Sequence, residues 1–198
     1  MLSHGTVLAM SYYKAYPGHV ERMILTGALP PAEPEGRDAY EKVMEARQNV
    51  LLARHTDIAH AVALAHLPAD SRNDTVEQAR IRRRISRLAP SNIIDLTRWH
   101  QLTGAGVYYN EAISNTIGNS VPQDIDIYAT LSAHPIPITV IQGDRDYVDP
   151  GASRWASLGA QGKVNIYVMP GSSHAAWIDQ PEAFARALAK GLGDRSIP

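Results

Sequence analysis

Between Ile136 and Phe184 the chain carries two short β-branched runs, Ile138-Thr139-Val140-Ile141 and Val164-Asn165-Ile166-Tyr167-Val168. Each closes in a glycine turn and is followed by a helical pattern. Continuous apolar runs of this length, alternating with helices, predict strands of a parallel sheet buried on both faces. In such sheets chemistry collects in the crevice beyond the carboxyl ends of the strands. Asp146 lies just past the first strand end and His174 just past the second. An acid and an imidazole at consecutive strand ends are two members of a Ser-Asp-His relay. The third is expected earlier in the chain, on a sharp strand-to-helix turn. Met1-Leu2-Ser3-His4-Gly5 supplies such a turn.

A chain of 198 residues, 44% of them hydrophobic, is long enough for one good core with a small accessory layer. Its net charge of -1 provides no global field toward nucleic acid or an anionic membrane. Zero cysteines exclude disulfides, thiolate metal sites and a cysteine nucleophile, which fits a cytoplasmic protein. No apolar run approaches the roughly 20 residues needed to span a bilayer. The opening residues hold only a short apolar patch, Thr6 to Met10, so no signal peptide is expected.

Taken in order, Ser3 to Tyr16 reads as a helix stopped by Pro17-Gly18, and Val20 to Gly27 as another buried strand. A proline-rich loop then leaves the sheet. From about Asp38 to Leu131 the strand signal disappears. Tyr40, Val43, Met44, Val50 and Leu51 fit one amphipathic helix, and Ile58, Val62 and Ala65 a second. Asp74 with Glu77 resembles a capping box for a third, bearing Ile81, Ile85 and Leu88. Ser91 is read as the cap of a fourth, with Ile94 and Trp99, and Asn110 as the cap of a fifth, with Ile113 and Ile117. A helical block between two strands predicts a lid over the strand ends. Phe184, Leu188 and Leu192 mark one apolar face of a final helix. The expected organisation is an α/β core over 1–30 and 132–198 with an all-helical cap over 31–131.

A serine hydroxyl is a weak nucleophile that needs a base within reach and a third group to orient that base. Ser3, Asp146 and His174 occur in an order found in one hydrolase fold and not in the two best-known protease folds. Asp144 and Asp149 flank Asp146, and turn chemistry accounts for acids in this position equally well. His55, His60 and His66 are not spaced i, i+4 as zinc ligands on a helix would be, so no metal site is expected. The run Arg80, Arg82, Arg83, Arg84 and Arg87 has no interleaved aromatic for base stacking and reads as a solvated helix face. Tyr108, Tyr109 and Trp99 suit either an acyl pocket or core packing.

Two groups of residues also carry a family resemblance. Ser3-His4-Gly5-Thr6-Val7-Leu8-Ala9, with Tyr16-Pro17 and Val20 to Gly27, resembles the nucleophile-elbow helix and next strand of α/β-hydrolases related to proline iminopeptidases. Gly143-Asp144-Arg145-Asp146, Pro170-Gly171-Ser172-Ser173-His174, Trp177 and Gln180-Pro181-Glu182-Ala183-Phe184 resemble that family's acid turn and histidine loop. The resemblance implies a cofactor-free serine hydrolase with a helical cap, acting on a peptide, amide or ester. It implies Ser3 as nucleophile, Asp146 as orienting acid, His174 as general base and the backbone N–H of His4 as an oxyanion donor.

The chain departs from the family pattern at its start. Met1 stands where G-x-S-x-G has its first glycine, and neither the strand before the serine nor a glycine-rich oxyanion loop is found. The cap lacks the Trp-Glu and Glu-Asn-His-Tyr-Phe motifs that hold a substrate amine, and nothing singles out Glu45, Glu77 or Glu111. The N-terminal half of the fold is therefore expected to be absent. Two other readings stay open: a catalytically incompetent fragment and a non-catalytic small-molecule binding remnant. Partners are expected to be a small molecule or short peptide, with self-association or pairing with an N-terminal segment, and no nucleic acid or membrane.

Overall fold

Ile138–Gly143 forms β2, the centre of a three-stranded parallel sheet, and all six of its residues are buried. A computed structural model describes residues 1–31, 34–57, 88–103 and 125–193. Met23–Thr26 (β1) pairs with β2 on one side and Val164–Met169 (β3) on the other, with Ile138 opposite both Met23 and Val164. β1 is shorter than the run from Val20 to Gly27 suggests, because Pro17–His19 forms a 3-10 turn and Val20 only leads in. Burial on both faces holds for β2 alone. β1 alternates, and β3 exposes Asn165 and Val168, since an edge strand has a neighbour on one side only.

Successive residues of β2 point to opposite faces. Ile138 and Val140 meet Val7, Met10 and Tyr13 of helix α1 (His4–Ala15) in the main core. Ile141 instead meets Ala187, with Phe184 and Leu188, on the last helix of the described residues (Pro181–Leu192). That helix sits so close that a Cβ on Gly191 would lie 3.1 Å from Thr139 Cγ2. Its buried face therefore runs through Ala187 and Gly191, and Leu192, assigned to that face above, is 60% exposed. The result is an α/β/α sandwich, the arrangement that covers both faces of a parallel sheet.

The described parts of the region between β1 and β2 start with α2 (Pro34–Arg54). Tyr40 is buried in the main core and Met44 packs against it, while Val43 and Val50 face solvent. Next come a single turn, α3 (Ala89–Asn92), a 3-10 helix (Leu96–Thr103) and α4 (Tyr128–Ala133). Ile125, Ile127 and Leu131 join the sheet's own core. Ser91 does not cap a helix: it lies buried inside α3 with its hydroxyl donating to Leu88 O, and Asp95 instead accepts the N–H and hydroxyl of Thr97. The helices expected around Ile58 to Ala65, Asp74 to Leu88 and Asn110 to Ile117 fall wholly or largely outside the described residues. So do His60, His66, the arginine run, Glu77, Tyr108, Tyr109 and Glu111. Among the described residues no helix is long and apolar enough to cross a membrane.

Candidate active site

Ser3 sits where an extended segment turns abruptly into a helix. Residues 1–3 lie beside β1 as the tip of a fourth parallel strand: Leu2 bridges to Thr26, Thr26 N–H donates to Met1 O (2.9 Å), and Ser3 N–H donates to Thr26 O (3.1 Å). Ser3 then adopts φ 53° and ψ -131°, and α1 begins at the next residue. Only Ala152 shares a positive φ among the described non-glycine residues. A serine in this conformation costs on the order of 1–3 kcal/mol, so the surroundings must hold it there. Thr6 does so, donating its N–H (2.8 Å) and hydroxyl (2.6 Å) to Ser3 O while accepting Leu29 N–H (3.1 Å) from the loop beyond β1.

The acid and the imidazole meet above the carboxyl ends of β2 and β3. Asp146 is fully buried, and both its carboxylate oxygens lie 3.0 Å from His174 Nδ1. The carboxylate is held from behind by Val148 N–H on Oδ1 and Gln142 Nε2 on Oδ2, each at 2.9 Å. Gln142 in turn accepts Ala28 N–H on Oε1 (2.7 Å), so one buried amide links the loop after β1 to the acid. A carboxylate accepting Nδ1–H leaves Nε2 as the basic nitrogen of the ring.

The neighbouring acids do other work. Asp144 accepts Ser172 N–H (3.2 Å), and Asp149 accepts the Ser153 hydroxyl (2.7 Å) and Arg154 N–H. Burial pushes the Asp149 carboxyl above its ordinary value, with those hydrogen bonds and the charges of Arg154 and Arg47 opposing it. The Tyr147 ring lies 5.2 Å from the imidazole at 51°. Burial, and secondarily the charge of Asp146, push its phenol up to about 12.

Three elements converge on Gly27. A Cβ there would lie 2.6 Å from His174 Cε1, 2.8 Å from Nδ1 and 3.2 Å from Leu2 Cδ1. Thus the residue before Ser3 and the ring of His174 touch the same point at the end of β1. Among the described residues Ser3 Oγ makes no hydrogen bond with His174. His4, whose N–H was assigned to the oxyanion hole, is the exposed first residue of α1.

No protein-family model matches the sequence, and no curated protein matches it at a significant level. Solved structures do match. A proline iminopeptidase-related protein from Thermus thermophilus superposes with TM-score 0.53 at 22% identity, covering 98% of this chain and 62% of that one. A thermophilic esterase from Thermogutta terrifontis gives 0.51 at 17% identity, covering 97% and 62%. MGS-M2, an alpha/beta hydrolase enzyme from a Medee basin deep-sea metagenome library, gives 0.50 at 16% identity, covering 100% and 65%.

The chain has part of the α/β-hydrolase fold.

It spans 62–65% of the length of these three α/β-hydrolase structures. In that fold the crevice beyond the strand ends is the functional region, and Ser3, Asp146 and His174 all lie at this end of the sheet. Sequence reasoning missed Gln142, Gly27, Tyr147 and Asp179, described below. Gln142 carried a signal, being a polar side chain in an otherwise apolar strand, and such a residue needs a buried partner. Gly27 was visible only as a strand-ending glycine, without its contact to the imidazole.

Proposed function

We propose that this chain is the C-terminal portion of a serine hydrolase working through an acyl-enzyme, with Ser3 as nucleophile, His174 as general base and Asp146 as orienting acid. The observation that carries this reading is the left-handed backbone of Ser3 at a strand-to-helix turn, which the α/β-hydrolase nucleophile requires. The buried Asp146–His174 pair supplies the rest of the relay.

As Ser3 Oγ attacks the substrate acyl carbon, its proton passes to His174 Nε2, and Asp146 stabilises the resulting imidazolium through Nδ1–H. The carbonyl oxygen becomes an oxyanion, toward which the His4 N–H at the start of α1 contributes one donor. Collapse of the tetrahedral species breaks the bond to the leaving alcohol or amine, which takes the proton from Nε2. Water, deprotonated by the same nitrogen, then releases the acid and regenerates Ser3. Nucleophile, base and acid are all protein groups, so this chemistry calls for no metal or organic cofactor. The substrate class is a small ester, amide or short peptide, aminopeptidase-like by resemblance, in a cytoplasmic setting.

The missing Ser3–His174 hydrogen bond favours a second reading, a binding remnant without turnover, although such bonds are often long in unliganded enzymes. A fluorophosphonate probe with mass mapping tests the two. Labelling at Ser3, abolished in Ser3→Ala, supports the hydrolase. Labelling at another serine sinks the assignment, and no labelling at any concentration leaves the binding remnant.

A further inference from the structure

The two residues flanking His174 are tied to the region between β1 and β2, and not only to the sheet. Ser173 hydroxyl donates to Ser91 O (2.9 Å), and Ala175 N–H donates to Asn92 O (2.7 Å). Asp179, at the end of the short helix Ala176–Asp179, closes the arrangement with one carboxylate. Its Oδ2 accepts Ser173 N–H (2.8 Å), and its Oδ1 accepts Ile94 N–H (2.9 Å). Beneath these bonds Ile93, Ala175 and Ile178 form a small core of their own, with Leu96, Trp99, Leu102 and Trp177 packed around it.

On the other side the histidine loop rests on the acid turn. Arg145 N–H donates to Ser172 O (3.0 Å), and a Cβ on Gly143 would collide with the carbonyl oxygens of Ser172 and Ser173. The loop bearing His174 is thus held from two sides.

We propose that Asp179 is a positioning residue for His174. It straps residues 91–94 across the histidine loop, so that this segment helps to set where the imidazole stands relative to Asp146 and Ser3. The proposal rests on the reading of His174 as the general base. Its chemical logic is that an ionised carboxylate accepting two backbone N–H groups makes the strongest class of hydrogen bond in the cluster. No other described side chain bridges the two segments with both of its polar atoms.

Amide hydrogen exchange of the full chain tests the strap without reference to turnover. In Asp179→Ala the Ser173 and Ile94 amides lose their acceptor directly, whereas Ala175 N–H keeps Asn92 O. If the strap is real, Ala175 exchanges about tenfold faster or more together with the other two, while Val140 and Ile141 in β2 keep their protection. The Nδ1 proton resonance of His174 also broadens, and Asp179→Glu, which retains both acceptor oxygens, restores part of it. Asp179→Asn, a milder lesion that keeps one acceptor oxygen, gives the same changes at smaller size and serves if Asp179→Ala does not fold. Unchanged exchange at Ala175 and an unchanged Nδ1 resonance in a folded Asp179 variant overturn the proposal. A chain whose Ser3 never labels refutes the hydrolase reading, yet the strap is still decided by the exchange of Ala175.

Discussion

The His174 imidazole packs directly on Gly27, which follows β1 with φ +52°, where a Cβ would approach Cε1 to 2.6 Å. Neither the ring nor the glycine has room to move, because Asp146 holds Nδ1 and Gly27 N–H donates to Ile141 O in the sheet. Gly27→Ala is therefore expected to cost about 1–3 kcal/mol for its backbone conformation. It should also displace the imidazole. A shift of about 1 Å at a reacting group costs on the order of 10²-fold in rate, so probe labelling of Ser3 should slow by at least that much. A variant that labels at the parent rate shows that the ring does not depend on this contact.

Replacing Asp146 should be far more damaging than replacing Asp144. In a complete enzyme Asp146→Asn should lower kcat by up to about 10⁴, because the amide offers His174 the wrong partner. The buried site adds a stability penalty. Both carboxylate oxygens already accept, from Val148 N–H and Gln142 Nε2, and an amide NH2 would face one of those donors, at a cost of about 1–3 kcal/mol. Asp144 is exposed and accepts one bond from Ser172 N–H, so Asp144→Asn should be mild in both respects. Steady-state kinetics and thermal melts rank the two, and the reverse order would identify Asp144 as the functional acid.

Asp149 gives a pH dependence of the opposite sense to that of a salt-bridged carboxylate. Burial raises its pKa from the ordinary 3.8, so the folded state holds this proton more tightly than the unfolded chain. Its contribution to stability is full below the unfolded value and is lost as pH rises through the raised folded value. Asp149→Asn cannot ionise and keeps one acceptor for Ser153 and Arg154. The stability difference, variant minus parent, should therefore grow in the variant's favour from about pH 4 upward and level off once pH exceeds the raised folded value. Melts of both proteins across that range check the sign. A difference that shrinks with rising pH means that hydrogen bonding outweighs desolvation at this carboxyl.

The apolar groove beside β1 should make the isolated chain associate. Residues 1–3 pair along the edge of β1 with Ile24 O, Thr26 N–H and Thr26 O but leave its apolar flank uncovered. Along that flank lies the open groove, of about 630 Å³, lined by Leu8, Tyr12, Val20 and Ile24, among others. Leu8 is 45% exposed and Tyr12 49%. An exposed apolar patch of this kind marks an association surface. Light scattering should give a mass above that of the monomer, and Leu8→Lys should shift it downward. A monodisperse monomer with a sharp cooperative melt removes the prediction.

The sequence by itself determined the order of the strands and the end of the sheet at which Ser3, Asp146 and His174 lie. Short β-branched runs closed by glycine favour sheet strands, and a parallel sheet puts whatever follows each strand at one end. That logic brought Ser3, Asp146 and His174 to one end of the sheet, as the resemblance to α/β-hydrolases also implied. Spacing did not choose among Asp144, Asp146 and Asp149. They lie within a single turn, and only the side chain of Gln142, the N–H of Val148 and the position of the ring distinguish them. Tertiary structure decided the rest because the partners are distant in sequence. Gly27 meets His174, Gln142 reaches Ala28, and Asp179 reaches Ile94, and none of these pairs leaves a periodic trace. The exposed Val168 and Leu192 have the same cause: a residue's apolarity is local, but whether anything covers it depends on which element packs there.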